Sequence, residues 1–140
     1  MEKAHDTFRG LGAGTLVWFT LSARALPLGL LGQFLLAGLG LFTSPGLLDL
    51  HGSVGGLLGL PVATLVGGSL LLPRLRGFGW WTGLIGLLYL VQVALGATGA
   101  PLPLSFHPLN AGLLLTSSLV LLTKVERRLG DSHRVPETIQ

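Results

Sequence analysis

"GFGWWTGLIGLLYLVQVALGATGAPLPLSFHPLNAGLLLTSSLVLLT" (residues 77–123) contains no Asp, Glu, Lys or Arg. A run of this kind cannot face water along its length. It exceeds the roughly 20 apolar residues that cross a bilayer, and "GAPLP" (99–103) interrupts it with the Pro and Gly of a turn. It therefore reads as two membrane spans. Working outward, Asp49 is the only charge between Arg24 and Arg74, and "TSPG" (43–46) divides that stretch into two more. "PRLRG" (73–77) supplies the central turn. The expected spans are about 18–42, 47–72, 78–98 and 104–124, with a helical lead-in from Thr7 and polar tails at 1–8 and 130–140. Short turns make neighbouring helices antiparallel. The expected fold is all-α: one transmembrane domain, an up-down-up-down four-helix bundle.

Composition agrees. Charged residues make up 11% of the chain and hydrophobic ones 49%, with a mean hydropathy of +0.70; a soluble domain has about 25% charged residues. The pI of about 10.2 does not point to nucleic acid, because the few basic residues stand where spans end. There is no cysteine, which excludes disulfides, thiolate metal sites, iron–sulfur clusters and covalently attached haem. The first apolar stretch is too long for a cleaved signal, so the chain is expected to be retained whole.

Lys3, Arg9, Arg74, Arg76, Lys124, Arg127, Arg128 and Arg134 lie at the N-terminus, the central turn or the C-terminus, and the other two turns have none. The positive-inside rule then predicts cytoplasmic termini. Trp18, Trp80 and Trp81 stand at the level of an interfacial belt. Arg24 is one and a half turns inside Trp18. Its long stem lets it snorkel to the surface; a partner role for an anionic ligand is the alternative.

The two hairpins resemble each other. "QFLLAGLG" from Gln33 and "QVALGATG" from Gln92 share Gln, then Leu, then Ala and Gly, then Gly seven residues on. A Pro-containing turn and a histidine follow, His51 and His107. Four residues beyond each stands Gly55 or Ala111, each followed by Gly-Leu-Leu. Every Gln and His outside the polar tails belongs to this repeat. Two hairpins in the same sense imply a pseudo-twofold axis along the membrane normal, which places both histidines at one depth on spans two and four, near the non-cytoplasmic face.

Polar groups inside a membrane are costly and point to function by default. Two imidazoles facing each other across a bundle can ligate one haem iron from above and below. Gly55 and Ala111, one turn along on the same faces, would leave room for the macrocycle, with Gly52 and Asn110 nearby. Gln33 and Gln92 can bond each other, a ligand, or the second nitrogen of a ligating histidine. The bland alternative is interhelical glue, with the glycines as small-residue packing. Zinc needs three or four ligands, and Asp49 beside His51 reads as an end cap or a solvent-facing residue. A third reading is a small cofactor-free transporter or channel subunit, or a scaffold.

The pattern of residues 33–38, His51 and His107–Ala111 resembles small bacterial four-span proteins. The layout over about residues 24–124 also resembles one half of haem A synthase and the four-helix core of cytochrome b561. The resemblance implies one haem b per chain, with His51 and His107 as metal ligands, in the bacterial cytoplasmic membrane. Leu48 stands where haem A synthase has a Glu, three residues before its histidine, which argues against that oxidation chemistry. One histidine pair, where cytochrome b561 has two, implies one haem. Bis-histidine ligation closes both axial positions and favours electron transfer. The partners implied are the lipid bilayer and a quinol or an extracytoplasmic redox protein; haem carriage or sensing, a part in a haem-dependent oxidoreductase, and self-association into a homo-oligomer stay open. Propionates would meet backbone N–H groups at the starts of spans two and four, face water, or turn toward Arg24.

The topology is checked with reporter fusions. Alkaline phosphatase joined after Gly99 is expected to be active and after Gly130 inactive, with a cytoplasmic fluorescent reporter giving the opposite pattern.

Overall fold

The structure is a computed structural model that describes residues 17–132. The expected lead-in from Thr7, and Lys3, His5, Arg9, His133, Arg134 and Gln140, lie outside the described residues. Helix α1 (Val17–Phe42) is followed by α2 (Gly46–Leu57) and α3 (Gly59–Leu71), which together form the second span. A 3-10 turn (Pro73–Phe78) leads into α4 (Gly79–Ala97), and α5 (Pro101–Ser132) is the fourth span. All four spans are long and apolar enough to cross a membrane.

Prolines and glycines set the boundaries. Leu72 is extended (φ −104°, ψ 113°) because the ring of Pro73 excludes helical geometry from the residue before it. The 73–77 stretch is thus a helical turn and not an irregular loop. Gly99 has φ +61°, the left-handed conformation that ends a helix and that glycine adopts without a Cβ clash. The third turn is shorter than expected: α5 begins at Pro101, three residues before Leu104, since proline fits the first turn of a helix. At its other end α5 runs past Lys124 to Ser132, carried by Lys124, Glu126, Arg127 and Arg128, all good helix formers.

The second span is broken. Pro61 has no N–H for the Leu57 carbonyl and crowds it, and the chain turns at Leu58 between α2 and α3. The Tyr89 hydroxyl of α4 reaches across and donates to the carbonyls of Gly55 (3.0 Å) and Gly56 (3.1 Å). Gly59 admits that ring: a Cβ there would lie 2.9 Å from the tyrosine oxygen.

The helices close into a ring. α1 packs on α2 and α3, α3 on α4, α4 on α5, and α5 back on α1. Spans two and four therefore occupy one diagonal. Phe19, Ala23, Leu26 and Leu30 form a stripe at helical spacing on α1. They meet Val62 and Leu65 of α3, Ile85 of α4, and Leu114, Leu121 and Val125 of α5, with Leu75 and Phe78 closing the end. Ser69 and Thr82 share a buried hydrogen bond of 2.6 Å across this core, the polar glue seen between membrane helices.

That core fills only one half of the bundle. From Phe34 to Pro61 only Gly40 is buried, and from Gly86 to Leu109 no residue is. The half nearer the 43–46 and 98–100 turns, here the outer half, is largely exposed in the isolated chain.

Near the other end, Arg24 donates to Glu126 through Nε (2.7 Å) and Nη2 (3.1 Å), a bidentate fork matched to a carboxylate. Its partner is thus a residue of α5, not an anionic ligand and not the aqueous surface alone. Trp18 does not sit free at the interface but packs on Gly68, whereas Trp80 is exposed. Lys124 and Arg128 stand over the rings of Trp81 and Phe78.

Leu65→Ala is expected to cost about 2–5 kcal/mol in reversible unfolding in detergent. Tyr89→Phe should cost about 1 kcal/mol and speed amide hydrogen exchange around residues 55–60, with the rest of α3 unchanged.

Candidate functional site

His51 lies five residues into α2 and His107 six residues into α5, so both stand about one and a half turns from the outer ends. Being on the same diagonal, they point at each other across the bundle axis. Their ring centroids are 6.0 Å apart and their planes 60° apart. Both are half-buried, at the level where the packed core gives way to the exposed outer half. The repeat read from the sequence thus corresponds to a spatial pair.

Gln33, on α1, is buried and organises the His51 side. The His51 Nδ1 lies 3.1 Å from the Gln33 backbone carbonyl. The Gln33 side-chain amide takes the orientation that satisfies its surroundings. Its nitrogen donates to the His51 carbonyl (2.9 Å) and to His51 Nδ1 (3.0 Å), and its oxygen accepts from the Gly55 N–H (3.3 Å). His51 Nδ1 thus faces both the Gln33 carbonyl and the Gln33 amide. Gly55 makes this docking possible: a Cβ there would stand 3.2 Å from the amide. The space that Gly55 leaves beside His51 is accordingly taken up by Gln33, not left open as the sequence suggested.

The second repeat is built differently. Gln92 does not reach the His107 main chain. Its side-chain oxygen accepts from Asn110 (2.7 Å), whose amide also donates to the Leu88 carbonyl (2.9 Å). The residue matching Gly55 is Ala111. The Gln92 backbone lies beside the His107 ring, yet His107 Nδ1 is buried with no hydrogen-bond partner. The ring rests on Gly96 of α4, where a Cβ would approach its Cε1 to 3.2 Å.

Gly52 is exposed and a Cβ on it would meet nothing, so it stands apart from this network. Asp49 is exposed in the first turn of α2 and makes no capping bond, which leaves it as a solvent-facing charge at the helix start. Sequence reasoning missed Tyr89, Gly96 and Glu126. Tyr89 is the one tyrosine of the chain and stands three residues before Gln92, a signal for a polar role on the same helix face.

Among the described residues no three His, Cys, Asp or Glu side chains converge, short of the donor set a zinc ion wants. Two donors suffice only for a centre that brings its other ligands with it, as a porphyrin does. With metal–imidazole bonds of about 2 Å, two imidazoles on opposite sides of one ion have ring centres roughly 6 Å apart, the separation found here. His51 and His107 are the residues that would hold such a group.

A family model described as a family of unknown function, DUF6220, matches residues 33–99. The matched stretch begins at Gln33, holds His51, Tyr89 and Gln92, and ends before His107. No curated protein matches the chain. No solved structure matches it either.

Proposed function

We propose that this chain is a small membrane cytochrome that holds one haem b through His51 and His107, near the extracytoplasmic face of a bacterial cytoplasmic membrane, with both termini in the cytoplasm. The observation that supports the reading is the approach of the two imidazoles, with ring centroids 6.0 Å apart across the diagonal. His51 and His107 would hold the group, with Gln33 beside the first of them, and the haem would supply one-electron exchange. The apolar layer of Leu30, Leu65, Ile85 and Leu114 lies between this site and the basic end. Exchange with a quinol, a redox protein or a haem donor therefore takes place on the outer side.

A second reading is favoured by a specific observation. Gln33, Gln92 and Asn110 already satisfy one another and the backbone, as a cofactor-free polar clasp between helices would. In that case the chain is a scaffold, or a small transporter or channel subunit whose path opens only on rearrangement of the apolar layer.

Purification from haem-replete cells separates the two. The cytochrome reading expects a Soret band and a sharp reduced α-band at one haem per chain, with the six-coordinate low-spin spectrum lost in both His51→Ala and His107→Ala. A folded, colourless protein that also fails to take up added haemin would overturn it and leave the clasp.

A further inference from the structure

The basic end of the bundle carries six Lys and Arg between Val17 and Ser132, against two carboxylates, Glu126 and Asp131. Glu126 is taken by the Arg24 fork on the α1 side. Lys124 stands two residues earlier in α5, about 200° round the helix, and reaches toward α4. Its ammonium lies 5.7 Å from the centre of the Trp81 ring. One turn on, the Arg128 guanidinium lies 4.4 Å over the Phe78 ring. It packs so closely on the 73–78 turn that a Cβ at Gly77 would come within 3.0 Å of its Nη2. Two cations on one face of α5 are thus seated on aromatic rings of the neighbouring span.

An aromatic face attracts a cation without cancelling its charge. Lys124 is exposed, and an ammonium has three donors, so the ring takes one side of it and the rest faces outward. Trp80, 76% exposed, marks the level at which indoles meet lipid headgroups. Further into the bundle on the same two helices, Leu87 and Leu119 are exposed. Fixed positive charge at the interface above an apolar wall complements a molecule with an anionic head and acyl tails. We propose that Lys124 and Arg128, seated on Trp81 and Phe78, form a site for the phosphate of an acidic phospholipid in the leaflet at the basic end. The apolar wall below the cations selects a lipid over a free anion or an acidic peptide. The site is independent of the histidine pair and of the haem reading.

The test uses the full chain with Trp18→Phe and Trp80→Phe, which leaves Trp81 as the reporter. It is placed in vesicles of phosphatidylcholine and phosphatidylglycerol, with bromine on the acyl chains of one lipid or the other. Bromine quenches an indole in contact. Quenching should show phosphatidylglycerol preferred beside Trp81 by at least about 5-fold, the effect of one basic residue near an anionic surface. Lys124→Gln with Arg128→Gln should remove the preference. Lys124→Arg with Arg128→Lys should keep it, which separates loss of charge from loss of fold. Arg76→Gln with Arg127→Gln removes the same charge and should leave most of the preference. Excess inorganic phosphate should not displace the lipid. An absent preference in the reporter chain overturns the proposal. Equal loss in the two glutamine pairs also overturns it, by showing a diffuse field in place of a site, and displacement by inorganic phosphate does so by showing a soluble-anion site. The chain is tested with or without haem, so a colourless protein leaves this outcome intact.

Discussion

A backbone N–H or carbonyl that enters hydrocarbon without a partner costs several kcal/mol, and the arrangement of this bundle follows from meeting that demand. Four helices satisfy nearly all of it internally. The difficulty comes where Pro61 removes an N–H from the second span and the chain turns at Leu58. Tyr89 reaches the end of α2 beside that break: its hydroxyl donates to the Gly55 and Gly56 carbonyls, two of the last four of the helix, and Gly59 lets the ring approach. The segment so held is α2, which has no buried residue of its own and carries His51. The position of the histidine thus depends on polar attachments from α1 and α4 more than on apolar packing.

The division of the bundle into a packed half and an exposed half is the second consequence. Leucines, two valines, two phenylalanines and an isoleucine fill the end nearer the described chain termini, and Ser69 and Thr82 satisfy each other within it. Above Gln33 and Asn110 the side chains turn outward to what a membrane would supply as lipid, and the histidine pair sits at the boundary. A site placed there rests on a packed floor. It also has a one-sided character, because no charged or amide side chain continues from it through the apolar layer below.

Much of this was legible in the residues. The absence of charge from 77 to 123, the turn residues and the spacing of Lys and Arg led directly to four antiparallel spans. The recurrence of Gln and His in the same order led to the pair at one depth. Span boundaries were less legible, because Pro101 and Pro73 read as turn formers although each opens a helical segment. The partner of Arg24 was not legible: Glu126 is 102 residues away, just past the expected end of the fourth span, and no local pattern connects the two.

What the sequence determined by itself is the class of fold and the cast of polar residues, because hydrocarbon imposes its rules on each segment separately: length, charge and satisfied backbone are properties of a span alone. What only the tertiary structure decided is which polar group meets which. Gly55 read as open space and is filled by Gln33; Gln92 read as the twin of Gln33 and is drawn to Asn110; Tyr89, passed over in the sequence, reaches the end of a broken helix. These pairings turn on contacts a few ångströms long between different helices, where the second repeat has Asn110 to meet Gln92 and the first has Val54 at the matching place.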